Sequence, residues 1–64
     1  DDARRLLQQA WDSRQDAEIG AHLGEVLWVQ QERDRARAIW RESWQRDRDN
    51  TVLQDTLKRF GVSF

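Results

Sequence analysis

Apolar side chains recur along this chain at intervals of three and four residues, the spacing that places them on one face of an α-helix. Strict alternation of apolar and polar residues, which is typical of strands, is absent, and the chain contains no proline. The spacing predicts four amphipathic helices, at about Ala3–Trp11, Ala17–Gln30, Arg33–Asp47 and Thr51–Phe60. We therefore predict an all-α fold built as an antiparallel helix–turn–helix array.

Each predicted helix has an apolar stripe that another element must cover. In chain order the stripe residues are Ala3, Leu6, Leu7, Ala10, Trp11; Ile19, Leu23, Val26, Leu27; Ala36, Ile39, Trp40, Ser43, Trp44; and Val52, Leu53, Leu57, Phe60. Asp16 and Asn50 precede two of the helices and are good N-caps, because a short side-chain oxygen accepts a free backbone N–H of the first turn. Gly61 suits a left-handed C-cap.

The apolar pattern repeats when the sequence is shifted by 34 residues. Asp16 then falls on Asn50, which aligns the two N-caps. The apolar matches are Ile19 with Leu53, Leu23 with Leu57, Val26 with Phe60, and Leu6 with Trp40. This shift is the length of one helix–turn–helix unit of a tetratricopeptide repeat (TPR), a unit that must stack on neighbours to bury its apolar face.

The segment 17–50 resembles a single TPR. The positions that match the family pattern are Leu23-Gly24, Leu27, Ala36, Trp40 and Ser43. In such a repeat the residue at Gly24 must be small so that the second helix can approach closely. The residue at Trp40 fills the gap between repeats.

The resemblance implies a division of the chain into three parts. Residues 1–14 correspond to the second helix of a preceding repeat, 17–50 to one complete repeat, and 51–64 to a C-terminal capping helix and tail. The combination AHLGEVLW, ARAIWRESW and LQDTLKRFG also resembles the C-terminal repeats of bacterial TPR lipoproteins. That second resemblance implies a periplasmic location, and without it a cytoplasmic one is expected.

The sequence departs from the family pattern at its connections. Arg14 and Arg48 stand where TPR units usually have proline, and the turn between the paired helices reads Gln30-Gln31-Glu32. Arg, Gln and Glu are good helix formers. Two alternatives therefore remain open: the connections turn, or one of them straightens, which would fuse two helices and lead to domain swapping.

The resemblance also implies a function, because the first helix of each TPR unit lines a groove that binds protein partners. On this chain the implied groove residues are Glu18, Ala21, His22, Glu25, Trp28 and Val29, with Val52, Asp55, Thr56 and Arg59 from the last helix. We predict a protein-interaction scaffold or adaptor that binds a protein or peptide through Glu18, His22, Glu25, Trp28, Val29 and Arg59.

Self-association is the second expectation. A chain of 64 residues without cysteine buries little surface and has no disulfide to stabilise it. Exposed apolar residues at the two ends would be covered by a second copy, in a ring, a filament or a two-fold dimer; these are Leu6, Leu7, Trp11, Trp44, Leu57 and Phe60. The alternative function is a purely structural one, in which an engineered or excised repeat piece only forms oligomers.

The charges argue against a nucleic-acid partner, and the apolar pattern predicts no membrane span in this chain. Eleven Lys and Arg residues face twelve Asp and Glu residues, and the two signs are interleaved. The arginines of RDRARAIWRESWQRDR are offset by Asp34, Glu42, Asp47 and Asp49, which predicts a solvated, salt-bridged face. No apolar run approaches the ~18 residues of a membrane-spanning helix, and the first residues lack a signal-peptide layout.

No catalytic or cofactor-binding motif is present in the sequence. His22 shares a helix face with Glu18 and Glu25, but these are too few ligands for a metal site. Ser13, Ser43 and Ser63 have no histidine at a suggestive spacing, and there is no glycine-rich phosphate loop. We therefore expect no enzymatic activity, no metal and no cofactor.

Overall fold

The computed structural model describes residues 2–64, which fold into four α-helices with no strand among them. The helices are α1 (Asp2–Ser13), α2 (Ala17–Val29), α3 (Arg33–Arg46) and α4 (Thr51–Phe60). The predicted all-α helical array is confirmed. The predicted first segment of the chain begins at Asp1, which lies outside the described residues.

The helix ends are capped as the sequence predicts. The Asp16 carboxylate accepts the backbone N–H groups of Glu18 and Ile19, at 2.8 and 3.4 Å, and the Asn50 side-chain oxygen accepts that of Leu53 at 2.9 Å. Gly61 has a left-handed conformation with φ of 68° at the end of α4. Because each cap satisfies N–H or C=O groups that a helix end leaves free, helices as short as α4 are sharply bounded.

All three connections turn, so the fused-helix alternative is not adopted in this structure. After α2, Gln31 takes a φ of 70° and the Glu32 N–H donates to the carbonyl of Leu27 at 2.9 Å. A left-handed conformation is costly for a residue with a Cβ atom. Packing of α3 back along α2 offsets that cost, although the sequence itself contains no strong helix breaker there.

Helix α2 is the central element of the fold. It contacts α1, α3 and α4, and α4 also packs against α3. The core contains the following buried apolar residues from all four helices and the tail: Trp11, Ala17, Ala21, Leu23, Leu27, Ala36, Trp40, Leu53, Leu57 and Val62. The four-helix array therefore has one continuous core around α2.

Gly24 of α2 lies directly against Trp40 of α3. A Cβ atom built at Gly24 would collide with Nε1 of the Trp40 indole, so a larger residue requires a shift of the ring or of the helix. The Trp40 Nε1–H donates to the backbone carbonyl of Ala21 at 3.2 Å, which satisfies the buried indole. The small residue expected at position 24 for helix packing is therefore confirmed.

One turn earlier, Gly20 has the same role for two other residues. A Cβ atom there would collide with the Ser43 hydroxyl and would lie 2.8 Å from the Trp11 ring. Ser43 is fully buried, and its hydroxyl donates to the carbonyl of Ile39 at 2.8 Å. The glycine pair thus brings both α1 and α3 close to α2.

Aromatic rings extend this core towards α4. Trp40 stacks on Trp28 with ring centroids 5.5 Å apart, and Phe60 lies 5.4 Å from Trp40 and 5.7 Å from Trp28. Aromatic pairs at such separations contribute about 0.5–1.5 kcal/mol beyond the area they bury. Phe60 therefore fixes the end of α4 against α2 and α3.

Substitution of Gly24 by Ala tests whether α2 and α3 pack this closely, because a closely packed and an open helix predict changes in stability of opposite sign. In an open helix this change stabilises by about 1 kcal/mol, because Ala is the better helix former. Here we expect destabilisation by about 2 kcal/mol, since the new methyl group overpacks a rigid indole. Urea unfolding monitored by circular dichroism measures the difference. A variant as stable as the parent, or more stable, would contradict the packing of Trp40 on Gly24.

Candidate functional site

A row of polar and apolar side chains lies on one face of α2. Glu18, His22, Glu25 and Val29 are spaced by four, three and four residues, so they share a helix face. Glu18, His22 and Val29 are exposed, and Glu25 is half-buried. We call this row the α2 stripe. It contains four of the six residues predicted to bind a partner.

Arg59 of α4 joins the α2 stripe through an ion pair. Its Nη2 atom lies 2.9 Å from Oε1 of Glu25, and its guanidinium lies over the ring of Phe60 at 5.5 Å. Both charged side chains remain substantially exposed, at 59% and 35%. An exposed pair of this kind stabilises a fold by only about 0–1 kcal/mol, so both groups remain available to a ligand.

A shallow depression of about 270 Å³ adjoins the stripe. Its lining residues come from α1, α2 and the residue that follows α2: Ala3, Glu25, Val26, Val29 and Gln30. Val29 is 68% exposed, which is unusual for a large apolar side chain beside an apolar floor. Ala3 and Val26 were predicted only as residues of the core stripes. Ala3 is exposed and Val26 is half-buried, and both line this depression.

Trp28, the sixth predicted partner-binding residue, has mainly an internal role. It is half-buried by its stacking on Trp40 and Phe60. The guanidinium of Arg33 lies over its ring at 4.9 Å. Removing Trp28 would therefore damage the core, and this residue is unsuited to a binding test.

Two residues of the implied groove are not on the surface. Ala21 is fully buried, and its backbone carbonyl accepts the indole N–H of Trp40. Thr56 is only 2% exposed, and its hydroxyl donates to the carbonyl of Val52 at 2.8 Å. The expectation that both would face a partner is wrong, since α3 and α4 lie closer to α2 than the helix pattern alone indicates. Val52 is half-buried and Asp55 is exposed.

The residues predicted to mediate self-association are mostly covered by the chain itself. Trp11 is 3% exposed and Leu57 7%, so their expected exposure is wrong. Trp11 packs near Gly20. The four-residue spacing of Gly20 and Gly24 is the sequence signal that could have predicted this close packing. Leu7, Trp44 and Phe60 are half-buried against the same core. Leu6 remains open, at 60% exposure.

Trp44 has its own partner in the C-terminal tail. Its ring lies 6.2 Å from that of Phe64, and Val62 of the same tail is buried. The tail therefore packs back onto the helical array, with Phe64 against Trp44 of α3. A second copy is not needed to cover Trp44.

An ionic cluster ties α1 to the start of α3. The Glu32 carboxylate accepts from Arg4 and from Arg35, the latter at 3.2 Å. The hydrogen bond from Arg4, supported by that from Arg35, holds the pKa of Glu32 below its ordinary value, although partial desolvation acts in the opposite direction. Arg4, Arg5, Gln8, Gln9 and Arg35 line a second depression of about 450 Å³ beside it.

Within residues 2–64 no group of three or more His, Cys, Asp and Glu side chains is arranged to hold a metal ion. Nor does any of the four described helices have the length and apolar character needed to cross a membrane. Every buried side-chain nitrogen or oxygen atom of the described part has a hydrogen-bond partner.

No protein-family model, curated protein or solved structure matches this chain. Its function is therefore argued from its own residues.

The pKa of Glu32 predicts how the ionic cluster responds to pH. A carboxylate with a lowered folded-state pKa stabilises the fold above its unfolded-state pKa, and this contribution is lost as the pH falls through the folded-state value. We expect Glu32→Gln to lower the urea midpoint at neutral pH and to have little effect in acid.

The matched control is Glu42→Gln, an exposed carboxylate of α3 without an ion pair in the described part of the chain. Urea titrations of the parent and both variants across this pH range measure the effect. A midpoint difference for Glu32→Gln that stays constant from neutral to acid pH would contradict the assignment.

Proposed function

We propose that this chain is a TPR-like protein-interaction module, a scaffold or adaptor that binds a protein or peptide partner on the α2 stripe and the depression beside it. Arg59 extends this surface onto α4. The resemblance of residues 17–50 to a TPR unit and the exposure of the stripe support the proposal. Aromatic, charged and apolar groups side by side are the usual means of gripping a peptide or a partner helix.

One comparison within the chain carries the proposal. In the 34-residue register, Thr56 of α4 corresponds to His22 of α2. Thr56 is 2% exposed where α4 packs on its neighbours, whereas His22 is exposed. The exposure of His22 shows that no described helix covers this face of α2. The α2 stripe is therefore a helix face with room for one more element.

The chemistry of the stripe favours a partner with an apolar anchor. Val29 and the floor around Val26 offer apolar area, whereas Glu18, His22 and Glu25 supply hydrogen-bonding groups along one edge. A side chain that fills the depression removes apolar surface from water at about 25 cal/mol per Å². Polar contacts at the rim would then set the orientation of the partner.

A second candidate function is self-assembly through the same region. Leu6 lies one turn from Ala3, which lines the depression, and both Leu6 and Val29 are well over half exposed. Contiguous apolar exposure of this kind marks interaction surfaces. On this alternative a second copy of the chain occupies the depression, and the role of the protein is structural oligomerisation.

The test selects peptides from a displayed library of random sequences on the immobilised parent chain. Selected peptides are then titrated against His22→Ala/Val29→Ser and against the control Ala38→Ser/Gln45→Ala, whose positions are exposed on α3. We expect at least a tenfold loss for the stripe variant, about 1.4 kcal/mol, and no change for the control. Both variants should keep the parent's unfolding midpoint, because all four side chains are exposed.

Two outcomes would contradict the adaptor proposal. One is the selection of no peptide, or only of peptides that bind both variants equally. The other is a parent that forms a dimer by light scattering, binds no peptide, and becomes monomeric in the stripe variant. The second outcome would favour the structural alternative.

A further inference from the structure

A row of arginines follows one side of α3, away from the α2 stripe. Arg33, Arg37 and Arg41 recur every four residues, and Arg48 follows just after the helix. All four side chains are exposed. Because an α-helix rises about 1.5 Å per residue, neighbouring guanidinium groups of the helical row are about 6 Å apart along the axis.

Each of these guanidinium groups lies over an aromatic ring. Arg33 lies 4.9 Å from the ring centroid of Trp28, and Arg48 lies 4.1 Å from that of Trp44. Arg37 and Arg41 lie over Phe64 of the tail, at 6.0 and 5.2 Å. The attraction between a cation and a ring face restricts the long arginine side chain.

The expected ion pairs on this face do not form. The sequence predicted that Asp34, Glu42, Asp47 and Asp49 would neutralise the arginines of this segment. In the part of the chain that the structure describes, the ion pairs involve Arg4, Arg5, Arg35 and Arg59, and none includes an arginine of the row. A guanidinium that lies over a ring without an ion-pair partner still has N–H donors to offer to a ligand.

We propose that this arginine–aromatic face, formed by Arg33, Arg37, Arg41, Arg48, Trp44 and Phe64, binds an acidic peptide segment in an extended conformation. Alternate residues of an extended chain are about 6.5–7 Å apart, which matches the spacing of the arginines along α3. Carboxylates at every second position would each meet one guanidinium, in the two-pronged geometry that Arg and carboxylate share.

The aromatic rings restrict the arginine side chains before any ligand binds, which distinguishes this face from an ordinary solvated row of charges. Fixing a free, rotamer-rich side chain on binding costs conformational entropy. Stacking on Trp44 and Phe64 has already restricted three of the arginines, so less of that cost remains.

The charge around the face favours a peptide over a nucleic acid. Asp34, Glu42, Asp47 and Asp49 lie in the same segment, and the chain has a net charge of −1. A phosphate backbone is bound through a concentrated positive field, which these carboxylates dilute. Separate carboxylates that each meet one guanidinium need no such field.

The inference is independent of the proposed function. The arginine–aromatic face consists of α3 residues, Arg48 and the tail, whereas the partner surface consists of α1, α2 and α4 residues. The module would then hold two ligands of different chemistry at once.

The experiment titrates a fluorescein-labelled peptide of alternating Glu and Ser with the parent chain, followed by fluorescence anisotropy. A Gln–Ser peptide of the same length is the neutral comparison. We expect saturable binding of the Glu–Ser peptide only, weakened by salt. Arg37→Ala/Arg41→Ala should reduce the affinity at least tenfold, and Phe64→Leu, which removes the ring but keeps an apolar side chain, several-fold.

The matched control is Arg5→Ala/Arg46→Ala, which removes the same charge from outside the face. Circular dichroism and urea unfolding verify that each variant is folded. Equal binding of the Glu–Ser and Gln–Ser peptides, no binding of either, or equal loss in both double variants would overturn the proposal. Tighter binding of a labelled oligothymidine than of the Glu–Ser peptide would also overturn it and assign the face to nucleic acid.

Discussion

The indole of Trp40 lying directly on Gly24 is the contact on which the rest of the structure depends. Two helices can approach this closely only where one of them has no side chain, and Gly20 repeats the arrangement one turn away for Ser43 and Trp11. A small core gains little from burial alone. Close packing of helix backbones around a fully buried tryptophan therefore provides much of the specificity of this fold.

The same contact positions both candidate surfaces. Trp28 and Phe60 pack against the ring of Trp40. These contacts hold α4 against α2, which brings Arg59 to Glu25. Exposed arginines of α3 and Arg48 lie over Trp28, Trp44 and the tail ring. Aromatic residues thus link the interior with two surfaces of different charge.

Much of the fold could be predicted from the sequence, because its signals are local. The four helices follow from apolar spacing, and Asp16, Asn50 and Gly61 act as caps through their own side chains or backbone. The small residue at position 24 was implied by the resemblance of residues 17–50 to a TPR unit. The left-handed Gln31 could not be predicted, since its conformation is imposed by the packing of the two helices that it connects.

The surfaces were harder to predict because they depend on contacts between distant parts of the chain. Glu18, His22, Val29 and Arg59 are exposed and Glu25 is half-buried beside them, since helix periodicity decides which side chains face outward. Trp11, Ala21 and Thr56 were expected to be exposed and are buried, because helix proximity decides their burial. The contacts of two arginines with Phe64 depend on the path of the tail, which the sequence pattern does not reveal. The acidic residues nearby in the sequence suggested ion pairs instead.

The most direct test of the central packing is hydrogen exchange at the Trp40 indole, followed by NMR. This N–H is buried and donates to the Ala21 carbonyl, so the packing account predicts that it exchanges only when the whole chain unfolds. Its exchange free energy should then equal the free energy of unfolding from urea titration, while the half-buried Trp28 and Trp44 indoles exchange faster. A Trp40 indole N–H that exchanges as fast as these two would contradict the account.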